Sequence, residues 1–223
     1  MLYFISTPIG NIGDISSRAI EILSGCDFIL VEDTRNTGKL LNLLGIKKKM
    51  ISLHEHTNDS KIEKLVEQMK PASNYCYVSD AGTPNISDPG GKLAQKALER
   101  GVNISPIPGA SSLTTLISVA PFSCSQFVFM GFFPKKKGRE KMINFIKNFE
   151  MPIIFLESCH RIAKTLNFLS ERLDGDGYNI LLGRELTKKF EQIEYFELSD
   201  SDLINQVIAK GEFIFILAKN TKV

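Results

Sequence analysis

The sequence offers little for a covalent or membrane-bound framework. Its 223 residues include four cysteines, at positions 26, 76, 124 and 159, and no C-x-x-C pair. That spacing argues against a disulfide framework or a zinc site and suits a reducing cytoplasm. No apolar run approaches the ~18 residues that a bilayer span requires. The apolar start Met1–Ile5 has no basic region before it, so it reads as a first strand rather than a signal peptide. Excess charge is also missing. A formal net charge of +2 does not announce a nucleic-acid binder, although a basic face on one side remains compatible with it. Internal repeats and low-complexity tracts are absent.

What is present is ordinary globular chemistry, with 43% hydrophobic and 23% charged residues in a chain long enough for two small α/β lobes. Short apolar runs at Leu2–Ser6, Phe28–Val31, Tyr75–Val78 and Asn103–Pro106 predict buried strands. Amphipathic stretches between them predict helices. Asp14 is the expected cap of the first, Ser60 and Glu63 form a capping box for another, and Asp88-Pro89 starts a third that stops at Gly101. Strand–helix alternation implies right-handed crossovers and a largely parallel sheet, with ligand loops at the carboxyl ends of the strands. A composition shift at Ala120–Ser123 predicts a hinge, giving lobes at 1–120 and 121–223. The second lobe is expected to hold strands at Gln126–Met130, Pro152–Leu156, Tyr178–Leu182, Gln192–Phe196 and Phe213–Ala218. Between them come a basic loop at Pro134–Lys141, a helix through Ile162–Leu173 and another over Leu203–Ile208.

Three polar, glycine-bearing segments follow predicted strands. Thr7–Asp14 lacks both the G-x-G-x-x-G fingerprint and the lysine and hydroxyl of a P-loop, and reads equally as a tight turn or a ligand loop. Ser79–Gly90 is more specific. Its small residues Ala81 and Gly82 leave room for a flat ligand against the backbone, while Asp80 and Asp88 serve as ligand contacts or caps. In Pro106–Ser112, Ser111 and Ser112 either donate to a ligand or cap a helix.

These segments, with Glu32-Asp33-Thr34-Arg35 and Gly183-Arg184-Glu185-Leu186-Thr187-Lys188, resemble in order the motifs of the tetrapyrrole methylase superfamily. Within it they resemble the ribosomal RNA small-subunit methyltransferase I group, from Leu2 to about Lys219. The resemblance implies two α/β lobes with S-adenosylmethionine (SAM) in a cleft between them, and a homodimer. It implies methylation of a cytidine ribose 2′-hydroxyl in small-subunit ribosomal RNA, free or in the assembled subunit. Carried over by position, the cofactor contacts are Pro8, Ala81, Gly82, Thr83, Ile86, Ser111 and Ser112, with Asp80 counted among them, joined by Leu156, Glu157, Gly211 and Glu212 from the second lobe. Relatives in this group often continue into a small C-terminal helical domain, so RNA contacts here are expected from the basic loops or a second subunit. The competing readings are a SAM-dependent enzyme for a small molecule such as a tetrapyrrole, and a non-catalytic SAM-containing RNA-binding or assembly protein.

Methyl transfer to a hydroxyl needs positioning and a proton acceptor. Asp33, Glu32, Asp80 and Glu185 are the candidates, with Arg35 and Lys188 available for phosphate or ribose; Asp33, Arg35 and Glu185 are taken as the catalytic set. For Arg35 and Glu185 a salt bridge is the competing role. His54 and His56 flank Glu55 without further metal ligands and suit RNA contact or surface structure, and His160-Arg161 opens a helix. Lys47–Lys49 and Lys135–Lys137, the latter followed by Arg139 and Lys141, are solvated surface or phosphate contacts. Phe132 and Phe133 are core residues or stacking platforms for a nucleotide.

Overall fold

The structure is a computed structural model and describes residues 1–54, 57–173 and 177–220. Glu55 and His56 of the expected histidine pair lie outside the described residues. The chain divides into two compact units, Met1–Ser111 and a second from Ser112 onward.

In the first unit, five strands alternate with helices: β1 (Leu2–Ile5), α1 (Ser17–Gly25), β2 (Phe28–Val31), α2 (Thr34–Leu43), β3 (Lys49–Ser52), α3 (Asp59–Glu67), β4 (Tyr75–Val78), α4 (Gly91–Glu99) and β5 (Ile104–Ile107). All pairings are parallel, in the order β3-β2-β4-β1-β5. The inner strands of a parallel sheet are buried on both faces, which is why β1, β2 and β4 read as continuous apolar runs. One face packs Ile5, Ile29, Val31 and Val78 against Ala19 and Leu23 of α1 and Leu41 of α2. The other packs Leu2, Leu30, Tyr75 and Tyr77 against Ile62 and Val66 of α3 and Leu93 and Ala97 of α4. Neighbouring strands β1 and β4 therefore send their following helices to opposite faces. The chain leaves a crevice at such a switch point, on the carboxyl side of the strands.

The second unit contains α5 (Ser112–Ile117), β6 (Val128–Phe132), α6 (Arg139–Lys147), β7 (Ile153–Ser158), α7 (Ile162–Leu173), β8 (Tyr178–Arg184), β9 (Gln192–Glu197), α8 (Ser201–Gln206) and β10 (Glu212–Lys219). Its sheet is mixed, in the order β6-β7-β10-β8-β9, with only β6 and β7 parallel. The seven residues from Glu185 to Glu191 are too few for a crossover, so β8 and β9 pair antiparallel. Phe155, Phe213, Phe215 and Ile180 face α6, α7 and α8. From α7 alone, Ile162, Leu166, Leu169 and Leu173 are buried there, each contributing roughly 1.5–3 kcal/mol. No helix among the described residues is long and apolar enough to cross a membrane.

Helix starts differ from the sequence expectation in three places. Asp14 does not cap α1. Asn11 accepts from Gly13 N and folds Ile12–Asp14 into a 3-10 turn, and Ser16 then caps α1 by accepting from Ala19 N at 3.1 Å. The capping box on Ser60 and Glu63 gives way to Asn58, whose side chain accepts from Lys61 N at 2.9 Å, while Glu63 pairs with Arg100. Asp88-Pro89 is not a helix start either. The Tyr77 hydroxyl donates to Pro89 O at 2.7 Å and holds that residue outside the helix, which begins at Gly91. The basic loop is also shorter than expected, because α6 takes up Arg139, Glu140 and Lys141.

If Ser16 is the cap, Ser16→Ala lowers unfolding stability by about 1 kcal/mol and Asp14→Ala leaves it within about 0.5 kcal/mol. Urea unfolding of the two variants measures this; the reverse ranking would restore Asp14 to the role.

Candidate functional site

At the carboxyl edge of the first sheet, the loop after β4 is tied to three neighbours. Thr7 N donates to Gly82 O at 2.9 Å and Gly82 N returns the bond to Thr7 O at 3.0 Å. The Thr83 hydroxyl lies 3.0 Å from the Ser6 hydroxyl and donates to Ala110 O at 3.1 Å, joining the loops after β1 and β5. Asp80 reaches the β2 loop, accepting from Asp33 N at 3.1 Å and from Asn36 Nδ2 at 2.8 Å. Pro8, Asp33, Asp80, Ala81, Gly82, Thr83, Ile86 and Ser111 thus all lie on loops of one sheet edge, with Arg35 in the first turn of α2 beside them. Ser112 is the first residue of α5 and belongs to the second unit.

The loop is conformationally expensive. Asn85 (φ 71°) and Ser87 (φ 59°) adopt left-handed backbone, at a cost of order 1–3 kcal/mol each. Gly82 has φ 79°, and a Cβ there would sit 3.3 Å from Ile9 Cγ2. Gly109 approaches Ser6 so closely that a Cβ would meet its Cβ at 3.0 Å. The Thr7 hydroxyl is buried with no hydrogen-bond partner among the described residues. Strain and an orphaned polar group thus lie together on this sheet edge.

The carboxylates there are not equivalent. Asp33 caps α2, accepting from Arg35 N at 2.7 Å, and both its oxygens are gripped by the Arg35 guanidinium at 2.6–3.2 Å. Those hydrogen bonds from Arg35 hold its carboxyl down at about 2. Asp88 goes the other way. Burial first, then the negative charges of Glu32 and Asp80, push it up to about 6. The same burial, with Glu32 and Asp88, raises Tyr77 above the usual phenol range. Sequence reasoning treated Asp88 chiefly as a cap, because an aspartate before proline serves that role equally well. The signal it left was position, eight residues from Asp80 in the loop already singled out.

In the second unit, Glu185 (φ 49°) accepts from Lys188 Nζ and from Glu212 N, both at 2.9 Å, while Lys188 also reaches Glu212 Oε2 at 2.9 Å. Burial alone would raise the Glu185 carboxyl, but Lys188 and the Glu212 N–H outweigh it and hold it below the usual range. Gly211 (φ 88°) passes so close that any side chain there would collide with Glu185. Glu185, Gly211 and Glu212 therefore form one brace. Leu156 and Glu157 lie on the adjacent strand, where Ser158 is the register partner of Glu212. The Glu157 carboxylate is fully buried and saturated, accepting from Ser158 N, Arg161 Nη2 and Thr165 Oγ1 at 2.8–2.9 Å. Its side chain acts as an internal strut. His160 is exposed, and Arg161 just precedes α7.

The two aspartates give opposite pH behaviour. Asp88 binds its proton more tightly when folded, so its stabilising protonation is complete below about 4 and is lost as pH rises through about 6. Asp88→Asn is therefore expected to stabilise the protein by about 1–2 kcal/mol at pH 8, after allowance for solvent screening, and to converge with the wild type near pH 4. Thermal unfolding across that range tests it; a larger gain at pH 4 than at pH 8 would reverse the assignment.

Comparison with known proteins accords with this architecture. The family model for tetrapyrrole (corrin/porphyrin) methylases matches residues 1–202. Among solved structures, the methyltransferase CobJ superposes with a TM-score of 0.70 at 14% identity, covering 100% of this chain and 96% of that one. Uroporphyrin-III C-methyltransferase from Thermus thermophilus gives 0.66 at 16% identity, covering 97% and 96%. At those identities the likeness is one of fold. Sequence relatives are nearer. The ribosomal RNA small subunit methyltransferase I of Leptospira biflexa is 39% identical, spanning 100% of this chain and 92% of the relative. Its namesake from Vibrio cholerae is 41% identical over 97% and 76%, and that from Bacillus subtilis 38% over 97% and 74%. With the family model covering most of its length and near-40% identity running from end to end, this chain belongs to the tetrapyrrole methylase family, in the ribosomal RNA small subunit methyltransferase I group.

Proposed function

We propose that this protein is an enzyme that methylates the 2′-hydroxyl of a cytidine ribose in small-subunit (16S) ribosomal RNA, using SAM. The observation that carries the reading is the strained, small-residue loop at the β1/β4 switch point, in a chain that aligns along its length with relatives named for that RNA. The first-unit residues suit the cofactor. Ala81 and Gly109 are exposed and leave main chain accessible to a flat adenosine, and Asp33, Asp80 and Glu32 supply negative charge for a ligand that carries a sulfonium and an ammonium. When bound, SAM supplies a methyl group activated for in-line displacement.

The chain's own residues then divide the work. Asp33 stays ionised throughout the working range and is a poor base, so with Arg35 it acts as a fixed charge pair at the start of α2. Glu185 is similarly engaged by Lys188 and braces the turn after β8. Asp88 takes the proton of the attacking hydroxyl. Its place in the loop, and an affinity tuned near neutrality, suit a general base better than either of them. The expected homodimer belongs to the same reading, and sedimentation velocity tests it.

Labelled SAM incubated with small ribosomal subunits lacking ribose methylation should place label on a cytidine ribose. Transfer to a tetrapyrrole instead would overturn the reading, and binding without transfer would favour an assembly role. Gly82→Val, which forces a branched side chain onto a left-handed residue facing Ile9, should abolish SAM binding measured by calorimetry in a protein still folded by circular dichroism; unchanged affinity would remove this loop from the cofactor site. Asp88→Asn should keep SAM affinity, lower kcat by about 10²-fold or more, and remove the acidic limb of the pH–rate profile. An unchanged profile would exclude Asp88 as the base.

A further inference from the structure

The two lysine runs of this sequence are not alike once folded. In the first, Lys48 Nζ donates to Cys26 O at 2.7 Å and Lys49 lies 5.7 Å from the Phe28 ring, so two of the three cations serve the fold of the first unit. In the second, Lys135, Lys136 and Lys137 are all exposed, and none forms an ion pair among the described residues. The nearest acid in sequence, Glu140, is already paired with Arg172 at 3.0 Å.

The stem of this second loop is fixed from below. Arg139 Nε donates to Pro134 O at 3.1 Å, and Arg161 donates to the carbonyls of Phe133 and Pro134. Arg161 is itself neutralised by the buried Glu157, and Arg139 stacks over the rings of Phe133 and Phe168 at 5.6 and 5.0 Å. Ordering the stem in advance lowers the entropy cost of binding through the tip. An aromatic stands beside it. β6 is an edge strand whose register with β7 shifts between Phe129 and Phe132, with Gly131 at φ 63°. The shift leaves Phe133 in the core at 1% exposure and Phe132 outside at 55%. Such irregularities re-aim side chains at sheet edges.

Unpaired cations alone fit any polyanion. Three of them on a fixed stem, next to an exposed ring with no core role, fit a single strand of nucleic acid, whose phosphates take the charges and whose bases offer flat faces for stacking. We infer that Phe132 and Lys135–Lys137 form a single-stranded RNA contact that holds the substrate strand, whereas Lys47–Lys49 does not. The inference deepens the ribosomal RNA reading and rests on it.

Fluorescence anisotropy with a labelled single-stranded RNA of about 20 nucleotides, titrated between about 50 and 200 mM salt, tests this. Replacing Lys135, Lys136 and Lys137 together by alanine should weaken binding at least tenfold at the low-salt end and reduce the slope of log K against log salt by about 2. Phe132→Ala should weaken binding about fivefold or more and leave the slope unchanged, because stacking releases no counterions. Lys47→Ala combined with Lys61→Ala and Lys64→Ala removes the same charge elsewhere and should shift the slope by less than about 1. Equal thermal unfolding of all variants establishes that they are folded. Wild-type affinity and slope in the Lys135–Lys137 variant, or an equal loss in the comparator, would overturn the inference. If the wild type labels small-subunit RNA while the loop variants bind unchanged, the inference fails alone. If the wild type labels no RNA yet the loop variants lose binding, the functional reading fails and the contact stands.

Discussion

Two main-chain hydrogen bonds between Thr7 and Gly82 set the geometry on which the first unit's chemistry depends. They join the loops after β1 and β4, the strands from which the chain departs to opposite faces of the sheet. Without that link, these loops would diverge with their helices. With it, a residue in left-handed backbone is held against the neighbouring loop, and the Thr83 hydroxyl brings in the loop after β5. Asp80 extends the same tie to the β2 loop. The strain at Asn85 and Ser87 is tolerated because this lattice leaves the loop few other conformations.

A different device organises the second unit. There, charged side chains face inward and are satisfied. Glu157 is closed over by Arg161 and Thr165, and Glu185 by Lys188 and a backbone N–H. Pairs of this kind add little net stability compared with apolar packing, but removing one partner leaves a buried charge exposed to the full desolvation cost. Their value lies in fixing the direction of a chain segment: Glu157 through Arg161 for the stem before α6, and Glu185 for the turn after β8. In the first unit Asp88 is tuned by neighbouring acids, whereas Glu157 and Glu185 of the second are engaged by cations.

Much of the fold was legible because burial on both faces leaves an unbroken apolar run. Phe28–Val31 and Tyr75–Val78 carry that signature, bounded on each side by polar residues, and form strands with those limits. Helix starts were less legible. Asp14, Ser16, Asn58 and Ser60 all bear capping side chains, and which one caps depends on a turn or tertiary contact that one-dimensional spacing does not contain. The antiparallel pairing of β8 with β9 follows from a short connection whose length shows only when both strand ends are known. The sequence also put the acid-rich loops at one sheet edge. It did not distinguish an acid clamped by arginine from one raised by its neighbours, since Asp33 and Asp88 are both aspartates in a loop between a strand and a helix. Pairing at Arg35 and crowding by Glu32 are properties of distance.

The central position of β10 carries a consequence for biosynthesis. All five strands of the first sheet are made by residue 107, so that unit has everything it needs while the ribosome is still translating the second. The second sheet is different. β10 is its last strand to be made, yet it lies between β7 and β8 and supplies the pairing that joins them. Until residues 212–219 emerge, β6–β7 and β8–β9 are separate ribbons with unpaired inner edges. Completion of this half therefore waits on β10, and a nascent chain stalled before Gly211 would present a finished first unit followed by two open, adhesive edges.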